Sequence, residues 1–148
     1  MIINRNEHDY IWQRIDALGI DSSRIELKSV PHYEVVKSIN RMHACVFYIK
    51  QVFSKRASAP TKFGELLGCG VPCISNSGVG DTESILEGEN VGVVLRTFDD
   101  HAHLDGVKSL LKLVADVDTK LRCIKVANQF FSLEQGVKAY DEIYRNIR

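Results

Sequence analysis

Ser58-Ala-Pro-Thr-Lys-Phe-Gly-Glu65-Leu-Leu-Gly-Cys-Gly-Val-Pro72-Cys-Ile-Ser-Asn-Ser-Gly-Val-Gly-Asp81 reads as a loop, a short helix and a tight Gly-Pro stop, then a buried strand and a glycine-rich loop opening a second helix. Two helix N-termini thereby arrive beside one sheet edge, each behind a flexible or pre-bent loop. Helix N-termini carry free N–H groups and a partial positive charge, and glycine-rich turns form anion-binding concavities. The stretch is therefore laid out to hold phosphate.

Outward from it, strand and helix alternate. Met1–Asn4 reads as a strand, and Ile11, Trp12, Ile15 and Leu18 share one face of a helix over Tyr10–Leu18 that Gly19 ends. Arg24–Lys28 alternates as a strand, and Pro31 opens a helix carrying Val35, Val36 and Ile39. Ala44–Ile49 is a continuous apolar run, the pattern of a strand buried on both faces. The spacing then predicts a helix over Thr61–Cys69, strand Pro72–Ser75, helix Asp81–Leu86 and strand Val91–Leu95. Three helices follow, over Leu104–Val114, Thr119–Phe131 and Leu133–Ile147. Alternation with short connections is the signature of an α/β fold with a parallel sheet. In such sheets ligands bind outside the carboxyl ends of the strands.

The bulk properties narrow the partners. At 148 residues, 45% apolar and 26% charged, the chain has the length and composition of one globular domain, 1–148. Nineteen basic side chains balance nineteen acidic ones, so no global field attracts nucleic acid or anionic lipid, and anion affinity must be local. The longest apolar runs are too short to cross a bilayer. Cys45, Cys69, Cys73 and Cys123 lack a secreted-scaffold rhythm and read as reduced core residues of a cytosolic protein, with no metal site expected.

The strand-end loops supply the candidate site. Lys50, Lys55 and Arg56 in the loop and Lys62 on the first helical turn gather near one helix N-terminus, either as a diphosphate cradle or as a solvated basic loop. Pro60 suits the first helical turn, Ser58 is placed to cap it, and the N–H groups of Thr61 to Phe63 then face the crevice. Phe63, Leu66 and Leu67 form the core face of this helix, leaving Thr61, Lys62 and Glu65 on the other. Two readings of Glu65 stand side by side. Its carboxylate matches the vicinal hydroxyls of a ribose, or it pairs with Lys62 within the helix. In Gly78-Val-Gly80-Asp81 the glycines permit positive φ or close approach to a ligand, and Asp81 caps the next helix. Thr82 and Glu83 face the ligand or favour the helix dipole. His32, Tyr33 and His43 flank strands and are candidates for a base pocket, whereas His101 and His103 read as solvated. No catalytic triad and no pair of catalytic carboxylates is evident.

Glu65-Leu-Leu-Gly-Cys-Gly-Val-Pro72-Cys-Ile-Ser, Gly78-Val-Gly-Asp-Thr-Glu83 and Gly92-Val-Val-Leu95 resemble the second half of a family 4 (group 1) glycosyltransferase. Phe131-Ser-Leu-Glu134 with Tyr140 and Tyr144 is similar to the family's closing helices. The resemblance implies the C-terminal half of a GT-B fold: a Rossmann-like three-layer αβα domain with a parallel sheet and C-terminal helices, truncated at its N-terminus. It implies a donor site for a nucleotide-diphosphate sugar, with Glu65 on the ribose and Ser58–Lys62 reaching the diphosphate or sugar. Retention at the anomeric carbon and no cofactor or essential metal are implied as well. Ala57 stands where relatives often carry a sugar-contacting glutamate, so Ser58 or Lys62 takes over that role. The family's first strand, glycine-rich turn and Arg/Lys pair do not precede Met1.

On this reading the donor set is Lys55, Arg56, Ser58, Pro60, Thr61, Lys62, Glu65 and His32, with Gly78, Gly80 and Asp81 in the second loop. The acceptor, a glycan or lipid-linked molecule, is reached through an N-terminal domain, as is any membrane association. The isolated chain is expected to be cytoplasmic, to bind nucleotide weakly and to be inactive. The rival readings are a non-catalytic nucleotide-binding or interaction module and a nucleotide-sugar epimerase-like enzyme.

Overall fold

The computed structural model describes residues 1–147. It is a mixed α/β structure whose contacts gather into two compact units, Met1–Met42 and the chain from His43 onward. Among the described residues no helix is long and apolar enough to cross a membrane.

In the first unit, β1 (Ile2–Ile3) pairs in parallel with β2 (Leu27–Lys28), Ile2 opposite Leu27 and Ile3 opposite Lys28. Between them runs α1 (His8–Ala17), and after β2 comes α2 (Val35–Ile39). Ile15 is buried and Ile11 and Trp12 are half-buried, as a helical stripe requires. Leu18, expected on that face, is exposed because the helix has already ended. Gly19 makes that end, at φ +64° with its N–H on the Asp16 carbonyl at 3.0 Å. The strand expected over Arg24–Lys28 shrinks to two residues. Asp21 accepts from the Ser23 N–H at 3.0 Å and winds Ser22–Arg24 into a 3-10 turn instead. Pro31 precedes a similar turn, His32–Glu34, that runs into α2.

The second unit is built on a three-stranded parallel sheet of β3 (Cys45–Val46), β4 (Cys73–Asn76) and β5 (Gly92–Leu95), in the order β3-β4-β5. Its helices are α3 (Thr61–Gly68), α4 (Thr82–Gly88), α5 (Asp100–Ala115), α6 (Thr119–Phe131) and α7 (Leu133–Asn146). All four residues of the central strand β4 are buried. Its neighbours in sequence face opposite ways. Ile74 packs with Leu95 and with Leu110 of α5, while Cys73 lies beside Cys45 and Cys123 of α6.

Phe63, Leu66 and Leu67 of α3 are buried as the spacing predicts, each worth about 1.5–3 kcal/mol of apolar burial. The Phe63 ring meets Phe131 of α6 edge-on at 5.4 Å. Helix α5 starts four residues before the predicted Leu104, because Asp99 accepts from the Ala102 N–H at 2.9 Å and caps a turn without a large apolar side chain to announce it.

The run Ala44–Ile49 is not buried on both faces. It forms the edge of the sheet, its ladder covers only Cys45–Val46, and Val46 and Tyr48 are about half exposed.

Candidate functional site

The carboxyl ends of β3 and β4 open into two loops, residues 50–60 and 77–81, and these lie against each other. Phe47 N–H bonds the Ile74 carbonyl at 3.0 Å, the last backbone bond between the strands. Beyond it the side chain of Asn76, 1% exposed, takes over. Its Oδ1 accepts from the Ile49 N–H at 2.8 Å, and its Nδ2 donates to the carbonyls of Ile49 at 3.0 Å and Ser77 at 2.9 Å. Gln51 Nε2 donates to the Ser77 carbonyl at 2.9 Å. Farther along, the Ser58 carbonyl occupies the space a side chain at Gly80 would need.

The first loop folds through consecutive tight turns. Lys55 N–H bonds the Val52 carbonyl, Arg56 N–H that of Phe53, and Ser58 N–H that of Lys55, at 2.9–3.2 Å. Lys50, Lys55, Arg56 and Lys62 are all exposed, and none forms an ion pair among the described residues. Phe53, on the same loop, is 87% exposed.

The loop enters α3 differently from the prediction. Pro60 holds the cap position with φ −69° and ψ 109°, one residue before the first turn, and no side chain caps the helix. Ser58 is not the cap, because the helix begins at Thr61 and the residue before it is Pro60. Phe63 N–H closes the first turn on the Pro60 carbonyl at 2.9 Å. The leading N–H groups of Thr61 and Lys62 remain for an outside acceptor, as at any helix start without a side-chain cap.

Glu65 lies one turn farther on and is half-buried. Its carboxylate has neither a hydrogen bond nor an ion pair among the described residues, so the Lys62 pairing is not formed. Its charge is felt by the Cys69 thiol, pushed up by burial and then by this carboxylate.

In the second loop Gly78 and Gly80 both have positive φ, +77° and +47°. Asp81 occupies the cap position of α4 with its backbone only. Its carbonyl accepts from the Ile85 N–H at 3.1 Å and from Ser84 Oγ at 2.8 Å, and its side chain makes no cap bond. Thr82 is fully buried, with its hydroxyl unpartnered. Glu83 is turned to Arg96, which it meets at 2.7 Å and which Glu87 also holds at 2.8 Å, so one guanidinium is shared by both carboxylates of α4.

Lys55, Arg56, Ser58, Pro60, Thr61, Lys62 and Glu65 thus belong to one loop-and-helix segment of the second unit, against Gly78, Gly80 and Asp81. His32 and Tyr33 are exposed in the first unit, and His43 is exposed in the second. His101 is exposed and meets Asp105 at 3.1 Å. His103 is not solvated as expected: it is half-buried against the rings of Tyr48 at 5.9 Å and Phe98 at 6.0 Å. Sequence reasoning missed Asn76, Gln51 and Phe53. The only signal for the first was an amide in an otherwise apolar or small-residue strand.

Among the described residues, no cluster of His, Cys, Asp and Glu has the makings of a metal site. The four cysteines are free thiols. No family model matches this sequence, and no curated protein matches it significantly.

Proposed function

We propose that this chain is the donor-binding domain of a sugar transferase of the family 4 (group 1) type, taking a nucleoside-diphosphate sugar in a GT-B architecture of two Rossmann-like domains. The observation that carries the reading is Glu65: a half-buried residue whose carboxylate has no partner among the described residues, one turn behind the start of α3, in a segment that also carries the unpaired Lys50, Lys55, Arg56 and Lys62. Its carboxylate is open to an outside donor, and a ribose diol would satisfy both of its oxygens. The diphosphate would then reach the Thr61 and Lys62 N–H groups, with Lys55, Arg56 and Lys62 balancing its charge.

The chemistry of such a transfer is mainly electrostatic. Charge builds on the departing diphosphate as the anomeric bond breaks, and preorganised amides and cations stabilise it. The acceptor and the other half of the cleft belong to a partner domain, so the chain alone binds donor and does not turn it over.

Titration of the 148-residue chain with UDP, GDP and ADP tests the reading. Glu65→Ala is expected to weaken the bound nucleotide about ten- to a hundredfold, the worth of hydrogen bonds to a charged group. The matching 2′-deoxynucleotide should bind wild type more weakly and lose less on the substitution, because the two changes remove the same contact. Equal binding of ribo- and deoxynucleotide to wild type, or no binding of any of the three, would refute the donor site.

A further inference from the structure

We propose that Asn76 and Gln51 are positioning residues for the cation-bearing loop, clamping it to the sheet so that its charges and the start of α3 face the ligand together. The inference rests on the donor-site reading above and adds residues that the reading does not use.

The argument starts from where the ladder stops. After the Phe47–Ile74 bond, β3 has no backbone partner on β4. The Asn76 side chain supplies one, presenting an acceptor and a donor to the two polar groups of Ile49 as a facing peptide would. Among side chains of this size only an amide offers both from one planar group. The clamp has a fixed base, because the Ser77 N–H is bonded to the Leu95 carbonyl of β5 at 3.0 Å. Gln51 then reaches the carbonyl of the same Ser77. Two side chains, one from each strand end, thus tie together segments 26 to 27 positions apart in sequence. Lys55 and Arg56 follow on the same loop and Lys62 on the first turn of α3, and among the described residues none of the three has an ion pair to hold it.

The second observation is the exposure of Gln51. A buried amide serves stability by itself, but an exposed one making a long-range bond to a loop carbonyl does little for the core. Its effect falls on where the loop lies.

Two variants separate placement from folding. Gln51→Ala removes one tether at an exposed position. Asn76→Asp keeps the shape and the acceptor for the Ile49 N–H but sets a carboxylate oxygen against the carbonyls of Ile49 and Ser77. Amide hydrogen exchange over residues 49–58, thermal melting, and affinity for UDP, GDP and ADP are measured on each. Gln51→Ala is expected to leave melting unchanged, speed exchange over 50–58, and weaken nucleoside-diphosphate binding about three- to tenfold, the scale of one neutral hydrogen bond. Asn76→Asp should extend the faster exchange to Ile49 and weaken binding further.

Exchange over 49–58 that matches wild type in both variants would overturn the clamp, whatever the affinities. Faster exchange at unchanged affinity would leave a tether with no positioning role, which also overturns the proposal. Absence of nucleotide binding by wild type removes the donor-site reading itself, and the exchange data then report the tether separately.

Discussion

Gly80 combines two demands, and Gly78 shares only one of them. Both have positive φ, a conformation that costs a side-chain-bearing residue about 1–2 kcal/mol. At Gly80 a Cβ would also drive into the Ser58 carbonyl, whereas at Gly78 it would rest in ordinary contact with Gln51 at 3.5 Å. Gly78→Ala should therefore cost about the backbone penalty alone, and Gly80→Ala more, by displacing the first loop. Chemical denaturation of the two variants measures the difference, and equal losses would show that the loops are not in contact at this point. The glycine pair was legible in the sequence as a sign of unusual backbone. What fills the space at Gly80 was not, since the clearance that suggested a ligand is taken by the protein's own carbonyl.

At the scale of elements, α3 and α7 are opposite cases. Helix α3 has only eight residues and is held by its buried face, Phe63, Leu66 and Leu67, against α6. Helix α7 buries none of its residues, and Leu133, Val137, Tyr140 and Tyr144 are all more than half exposed. Its stability is therefore set by intrinsic propensity and by the cap in which Ser132 Oγ accepts from the Gln135 N–H at 3.2 Å. Gly136 has nothing within 4 Å of where its Cβ would sit. Gly136→Ala should stabilise α7 by roughly 0.5–1 kcal/mol, and Ser132→Ala should weaken it by about 1 kcal/mol. Both changes should register as slower or faster amide exchange within α7, with little change in thermal melting. The existence and order of these helices followed from apolar spacing alone. Their starts did not, because capping is a matter of one side chain: Asp99 begins α5 a full turn early, and Pro60 displaces Ser58.

At the scale of the whole chain, the α/β character was legible because apolar runs and amphipathic stripes differ in period. The edge position of β3 was not, since an unbroken apolar run reads alike at the centre and at the rim of a sheet. The ties of Asn76 and Gln51 were equally hidden, because they depend on the register between loops far apart in sequence. One further property of the second unit is usable as a chemical clock. Cys73 on β4 and Cys123 on α6 have no exposed surface, and burial pushes both thiols up, that of Cys123 to about 11 and that of Cys73 well above the ordinary thiol range. Cys69 and Cys45 are only half-buried. A small alkylating reagent should therefore modify Cys69 and Cys45 early and the inner pair late. If α6 and the sheet open as one cooperative unit, Cys73 and Cys123 will be labelled in step, at a rate that rises with denaturant. Labelling of Cys123 well ahead of Cys73 would instead reveal that α6 peels away first. Without any engineered cysteine, the native thiols report the order in which the unit comes apart.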